Sequence, residues 1–173
     1  NEGLGRMVRT HRIFNPNEPE LINANQVNAC NMCHLDKPIN WTLKYLTEWY
    51  GENKIDPKQI AKNYPNRDQA VAIDWLTSEH QPTRISTAGA IARRKAYEFA
   101  PQLLEQLVRE DYMPNRRMMQ KAIEELLEVN LREKGFEHHM TALRRSLIMN
   151  GLKKNLLKKA DDLAQGRGKL AAR

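Results

Sequence analysis

The sequence predicts an all-α protein in which a short N-terminal segment is followed by helices that pack as antiparallel hairpins. Two observations carry this prediction. Past Gly51 the apolar residues recur at spacings of three and four, without the alternation that is typical of strands. The connections between these apolar segments are short and are marked by Pro, Asn or Gly. We therefore expect two parts, residues 1–51 and a helical repeat-like domain over residues 52–173.

The first strong helix signal follows a proline. Pro38 suits the start of a helix that runs to Tyr50, with Gly51 as the residue after its end. Residues 111–114 are predicted to form a turn. The later helices are expected at 57–63, 67–79, 86–108 with a kink or restart at Pro101, 118–127, and 137–164 with a break at Asn150-Gly151 left open.

The charge of the chain bears on its partners. It carries 28 basic and 21 acidic residues, a net charge of +7, and this favours acidic partners. Nucleic acid is not expected, because zinc-finger, RNP and glycine-rich phosphate motifs do not accompany the lysines. No run of 18 apolar residues occurs, so we expect no transmembrane segment. The chain opens on Asn1 rather than Met, which fits a mature form whose leader has been removed.

Both cysteines lie in one pentapeptide, Cys30-Asn31-Met32-Cys33-His34. This spacing is the signature of c-type haem attachment. Two thiols one helical turn apart can form thioethers with the two vinyl groups of a haem, and an imidazole directly after the second thiol can reach the iron from the same side. The motif predicts one covalently bound haem c whose iron is ligated by His34. Since such attachment normally takes place outside the cytoplasm, we expect a periplasmic or otherwise extracytoplasmic protein.

Two other uses of a Cys-x-x-Cys motif fit less well. A thioredoxin-like redox pair requires a strand before its first cysteine, and residues 23–28 are polar and rich in asparagine. A structural zinc site needs a second pair of ligands at comparable spacing, whereas His11, His80 and His138-His139 are irregularly placed. The histidine pair is expected to be exposed near a helix start.

The residues around the motif carry a family resemblance. They are Thr10-His11-Arg12-Ile13, Asn15-Pro16, Asn28-Ala29 before the motif, Asp36-Lys37, Trp41 and Glu48-Trp49-Tyr50-Gly51. Together they resemble the haem segment, here about residues 8–51, of multihaem c-type cytochromes that continue into tetratricopeptide or HEAT-type helical repeats. In that family the histidine of the His-Arg-Ile type is commonly an axial ligand, and by resemblance this role falls on His11. Relatives usually carry several such motifs and this chain has one, so the haem that His11 serves lies in this chain or in another.

Methionine is the other common second ligand to a c-type iron. The candidates lie at helical spacing among leucines, which is typical of core residues, and we expect them to fill the core rather than bind iron. They are Met113, Met118, Met119 and Met140.

The helix after Pro38 is apolar on two sides. Trp41, Tyr45 and Trp49 form one side, at spacings of four, and a second side faces away from them. The second side comprises Ile39, Leu43, Leu46 and Tyr50. We expect the helix to be sandwiched, and the sequence leaves open whether the aromatic side is ordinary core or a wall beside the haem.

These observations favour a c-type cytochrome subunit that transfers single electrons through a bis-histidine haem. We expect it to belong to a hetero-oligomer with other redox or multihaem subunits. Iron with two protein ligands has no open position for a substrate, so no catalytic residue is assigned. Two alternatives stay open: a haem enzyme of the peroxidase or nitrite-reductase type with an open iron site, and a structural docking subunit whose haem has no redox role.

Overall fold

The structure, a computed structural model, describes residues 15–16, 18–51 and 54–171, with side chains described as far as residue 168. Every regular element in these residues is a helix, which confirms the predicted all-α class. The α-helices are α1 (Pro19–Asn23), α2 (Ala29–Cys33), α3 (Ile39–Tyr50), α4 (Pro57–Asn63), α5 (Val71–Leu76), α6 (Gln81–Arg94), α7 (Ala100–Arg109), α8 (Met113–Leu127) and α9 (Ala142–Ala171), and a 3-10 helix covers Tyr97–Phe99.

Packing divides the chain into two compact units between Ala90 and Ile91. The N-terminal unit contains α1 to α5, the C-terminal unit contains α7 to α9, and α6 crosses the boundary. The predicted boundary after Gly51 differs from this division. The reason is that α4 and α5 contribute to the same core as the helices before Gly51, and α4 packs directly on α1.

The N-terminal unit is built around side chains from α1, α3, α4 and α5. Ile39 and Leu46, seven residues apart, lie on one face of α3 and are at most 1% exposed. Trp75 of α5 is fully buried in the same core. The core cluster comprises Ile22, Ile39, Leu46, Ile60, Tyr64, Val71 and Trp75. Burial of these large side chains holds together segments that are up to 53 residues apart in the chain.

Asparagine side chains join α1 to the later helices of this unit. Asn25 has a left-handed backbone (φ 51°), which asparagine tolerates, and it turns the chain after α1. Its amide donates to the Asn63 carbonyl at 2.8 Å and its side-chain oxygen accepts from the Trp75 indole N–H at 2.9 Å. Asn63 in turn donates to the Asn23 carbonyl at 2.6 Å. The end of α1 is therefore bonded to both α4 and α5.

Tyr64→Phe tests one further link of this kind. The buried Tyr64 hydroxyl donates to the Ile22 carbonyl at 2.7 Å, and burial raises the pKa of this phenol. Without the hydroxyl the carbonyl loses its donor, so we expect the free energy of unfolding to fall by about 1 kcal/mol in chemical denaturation. Tyr50→Phe makes the same change on a half-exposed ring and should alter it by less than about 0.5 kcal/mol. Equal effects of the two substitutions would contradict the prediction.

The C-terminal unit packs α7 against both α8 and α9. Leu103, Leu104 and Leu107 bury one face of α7, at spacings that suit a helix lying on two neighbours. Met119 is fully buried on α8, as expected for a core methionine. The expectation is wrong for Met113, which is 49% exposed because it lies at the start of α8, and Met118 and Met140 are only partly buried. The short connection between α7 and α8 makes them a helical hairpin.

Two buried arginines bond to carbonyls at one end of this unit. Arg145, 3% exposed, donates to the Val108 carbonyl at 3.0 Å and to the Met140 carbonyl at 2.7 Å. Arg116, 8% exposed, donates to the His138 carbonyl at 2.6 Å. A buried guanidinium requires such partners, because leaving its N–H groups unpaired costs several kcal/mol or more. These bonds connect the end of α7 to the loop before α9.

Prolines begin three of the later helices. Pro82 lies in the first turn of α6, which starts at Gln81, five residues before the predicted start. Pro114 lies in the first turn of α8, which starts at Met113, where a turn was expected. Pro101 is the second residue of α7, so a new helix starts there, which is one of the two predicted outcomes, although α6 already ends at Arg94. A proline in the first turn costs nothing, because its missing N–H has no partner there.

Two other helices differ from their predicted limits. The predicted helix at 67–79 is shorter and covers Val71–Leu76, because turns occupy the residues before it. The last helix, α9, starts at Ala142 rather than at residue 137, because turns occupy the residues before it, and it extends past residue 164 to Ala171. It runs through Asn150-Gly151 without a break. Buried Met149 and Leu156 hold it against its neighbours on both sides of the glycine, which outweighs the roughly 1 kcal/mol that a helical glycine costs.

Candidate functional site

The five-residue helix α2 carries both cysteines. Asn28 caps it, since its side-chain oxygen accepts a backbone N–H of the first turn at 2.9 Å. Cys30 and Cys33 are thus one helical turn apart, and both are free thiols. His34 follows directly, with its backbone N–H bonded to the Cys30 carbonyl at 3.0 Å. The structure therefore brings three of the four predicted site residues onto one turn.

These three side chains differ in exposure. Cys30 is partly buried and packs against the core of the N-terminal unit, whereas Cys33 and His34 are exposed. Burial raises the pKa of the Cys30 thiol, and a backbone hydrogen bond opposes this only in part. One thiol is therefore anchored at the edge of the core, while the second thiol and the imidazole face solvent.

Asn31, between the cysteines, fixes the shape of this turn. Its side chain is fully buried, and its oxygen accepts from the Thr42 hydroxyl at 2.5 Å and the Asn28 amide at 3.1 Å. Its nitrogen donates to the carbonyls of His34 and Lys37 at 3.3 and 3.2 Å. An amide side chain can make four hydrogen bonds, and here all four are made. The motif is therefore held in one conformation by its own second residue.

The residues after the motif are held by α5. The first two N–H groups of α5, on Val71 and Ala72, donate to the carbonyls of Lys37 and Leu35 at 3.2 and 3.4 Å. Leu35 is itself buried beside them. N–H groups at a helix start have no partner within the helix, so these bonds satisfy α5 while fixing the loop after His34.

The rings of α3 continue outward from His34. The imidazole centroid lies 4.8 Å from the Trp41 ring, which lies 4.9 Å from Tyr45, which lies 5.4 Å from Trp49. We call Trp41, Tyr45 and Trp49 the aromatic stripe. Its exposure rises along α3, and the Trp49 side chain is 60% exposed. The predicted sandwich of α3 is thus only partly seen in the described residues. On the opposite side Ile39 and Leu46 are buried but Tyr50 is half exposed, and on the stripe Trp41 and Tyr45 are partly buried.

An apolar cavity of about 210 Å³ lies beside α2. Leu21, Val27, Ala29 and Met32 line it, so the residues on either side of Cys30 in the chain contribute to an apolar surface. Met32 was not predicted to have a role, because the second variable position of the motif carries no signal of its own.

The remaining histidines have structural partners. His11 lies outside the described residues. The imidazole of His80 bonds to the Thr83 hydroxyl at 2.9 Å at the start of α6. His138 bonds to Gln120, and burial together with neighbouring His139 lowers its pKa. The His138-His139 pair belongs to the C-terminal unit and packs edge to face. His139 is exposed as expected, whereas His138 is partly buried because it contacts Gln120.

Two residues that fix the site were missed by sequence reasoning. Asn28 precedes Asn31 by three residues, and an asparagine at this distance before a helical residue is a recognisable N-cap signal. Thr42 gives no local signal, because its role depends on α3 packing against α2.

Within the described residues, no three His, Cys, Asp or Glu side chains converge as a metal site would require. None of the helices in this part of the chain is both long and apolar enough to cross a membrane. Comparison with known proteins found no matching family model, no matching curated protein and no matching solved structure.

The chemistry of the donor set fits a c-type haem. Two reduced thiols lie one turn apart, an imidazole follows the second, and apolar surface flanks the first. Exposed Cys33 and His34 leave room for a large planar group to approach. Cys30 and Cys33 would hold the group by thioethers, and His34 would ligate its iron.

Proposed function

We propose that the protein is a c-type cytochrome subunit that transfers single electrons through one haem bound to Cys30 and Cys33, with His34 as an iron ligand. The observation that carries this proposal is the arrangement of the two free thiols and the imidazole on one fixed turn. When bound, the haem supplies an iron that cycles between the ferric and ferrous states.

The chain's own residues serve this role by holding the site still. Asn31 fixes the turn that carries both thiols, and α5 fixes the loop after His34. Supports of this kind orient a metal ligand and keep its surroundings constant between redox states. A site with little freedom to rearrange suits electron transfer.

The test is the haem content of the protein made in a host that attaches haem to Cys-x-x-Cys-His outside the cytoplasm. We expect one haem per chain that survives denaturing electrophoresis, with a Soret band and a reduced spectrum of the c type. Stoichiometric zinc without a Soret band would overturn the proposal. The same experiment, run with and without export, tests the extracytoplasmic location that we propose.

His11 is proposed as the second iron ligand, on the strength of the family resemblance of its Thr-His-Arg-Ile element. We expect the wild-type iron to be low-spin, with a potential below that of a methionine-ligated haem, because Met/His ligation raises the potential. In His11→Ala the sixth position should open, so that the ferric spectrum becomes high-spin and the ferrous form binds carbon monoxide. His80→Ala is the matched control and should leave the spectrum unchanged. A low-spin monomeric His11→Ala protein would exclude this ligand.

Other redox or multihaem subunits are proposed as partners, in a hetero-oligomer bound through the basic helical part of the chain, from about residue 84 to residue 173. Residues 1–90 carry ten basic and ten acidic residues, whereas residues 91–173 carry eighteen and eleven, so the whole net charge of +7 lies in the second part. Exposed lysines steer acidic partners and are screened by salt. We therefore expect a complex isolated from the source to dissociate as ionic strength rises. A monodisperse monomer at low salt would contradict this prediction.

A further inference from the structure

The aromatic stripe begins at Trp41, which lies beside His34, the predicted iron ligand. Among the described residues, Trp41 is the only one whose aromatic ring contacts the His34 imidazole. The ring centroids are 4.8 Å apart and the interplanar angle is 45°. The centroid of the Tyr45 ring lies 4.9 Å from that of Trp41. Trp41 therefore has two ring neighbours, and the His34 imidazole lies against a side chain that is itself in contact with Tyr45.

We propose that Trp41 is a positioning residue that fixes the plane of the His34 imidazole as an iron ligand. This inference rests on the proposed function, since it assigns a role to Trp41 only if His34 ligates the iron. It differs from a general stabilising role, because the ring contact constrains rotation of one particular imidazole. Ligand orientation of this kind is normally supplied by a hydrogen bond from the second ring nitrogen, and here we assign it to the ring contact with Trp41.

The position of Trp41 is set by residues on both sides of it in the chain. Its backbone N–H bonds to the Pro38 carbonyl at 3.1 Å in the first turn of α3. Thr42, the next residue, is fully buried and donates to the Asn31 oxygen at 2.5 Å. This bond ties the register of α3 to the helix that carries the motif. The contact between Trp41 and His34 is therefore a consequence of how α3 and α2 are bonded, rather than of two free surface rings meeting.

The exposure of the stripe separates this role from ordinary core packing. The core face of α3 is the opposite one, with Ile39 and Leu46 almost fully buried. Trp41 is only partly buried, so its loss should leave the core of the N-terminal unit intact. Trp49 offers a matched control, because it is the same residue type on the same stripe, two turns away and without contact to His34.

The experiment compares the full haem-loaded chain with its Trp41→Ala, Trp41→Phe and Trp49→Ala variants. Covalent haem on a denaturing gel is measured first, and thermal unfolding shows that each variant is folded. The readout is the proton NMR spectrum of the ferric low-spin protein, in which the spread of the haem methyl resonances follows the plane of the axial imidazole. We expect the wild type to give one set of shifted haem methyl resonances. In Trp41→Ala we expect either a narrower spread of these resonances or a second set beside the first.

Rescue by the conservative variant completes the test. Trp41→Phe keeps a ring against His34 and should retain the single set, and Trp49→Ala should match the wild type. Unchanged resonances in a haem-loaded Trp41→Ala protein would overturn the inference while leaving the proposed function in place. A wild-type chain without covalent haem would overturn the proposed function, and this inference with it.

Discussion

Replacing both Cys30 and Cys33 by alanine is expected to abolish covalent haem. The chain has no other cysteine, so the double variant has no thiol from which a thioether can form. Either single variant keeps one attachment point and should retain haem at a reduced level. The measurement is haem staining after denaturing electrophoresis, with the amount of protein in each band quantified separately.

The two single variants also differ in what they do to the unmodified protein. Cys30 packs against the core and Cys33 is exposed. Cys30→Ala should therefore lower the free energy of unfolding of the haem-free chain by roughly 1 kcal/mol, while Cys33→Ala should leave it nearly unchanged. Met32→Leu serves as a control within the motif, because it alters neither thiol and keeps the volume. Covalent haem in the double variant would contradict the attachment that we propose.

Much of the fold was accessible from local patterns. The limits of α4 were predicted correctly, because Asp56 caps it and Pro57 opens it. The end of α3 at Tyr50 was also correct, since Gly51 has the positive φ (70°) that its place after a helix suggests. Signals of this kind are encoded within a few residues of the helix end that they set.

Other features depend on contacts between distant residues and left no local trace. The end of α1 is bonded to α4 and α5 through Asn25, which is 38 residues from Asn63 and 50 from Trp75. No pattern near Asn25 reveals these partners. The pairing of the aromatic stripe with His34 is likewise a result of how α3 packs beside α2.

The candidate site also has one part that local sequence patterns predict and one part that depends on contacts between distant residues. The identity of Cys30, Cys33 and His34 follows from their spacing, because the chemistry of attachment demands that spacing. The residues that support them cannot be inferred from the spacing, because the chemistry of attachment does not restrict the residue types between the two cysteines. Haem attachment would allow any residue type at position 31. The fold favours asparagine there, because the buried side chain makes four hydrogen bonds.

Asn31→Leu is expected to destabilise the N-terminal unit by roughly 2–4 kcal/mol. Leucine has the same number of side-chain heavy atoms and the same branching as asparagine, but it is bulkier and has no polar atom. The buried Thr42 hydroxyl, the Asn28 amide and the carbonyls of His34 and Lys37 therefore all lose a partner. Each buried group left unpaired costs about 1–3 kcal/mol, reduced where water can reach it. Chemical denaturation of the haem-free chain measures the effect, and haem attachment should fall with it because the turn that presents both thiols is no longer fixed.

Two variants make the Asn31 prediction quantitative. Thr42→Val removes one of the four bonds without changing shape and should cost about 1 kcal/mol. Asn40→Leu makes the same chemical change as Asn31→Leu at an exposed position of α3, where the side chain bonds only to exposed Asp68, and should cost less than about 0.5 kcal/mol. The expected order of destabilisation is therefore Asn31→Leu, then Thr42→Val, then Asn40→Leu. If Asn31→Leu proved no more harmful than Asn40→Leu, the turn would be held by the α2 backbone and by α5 alone, and Asn31 would have no part in presenting the thiols.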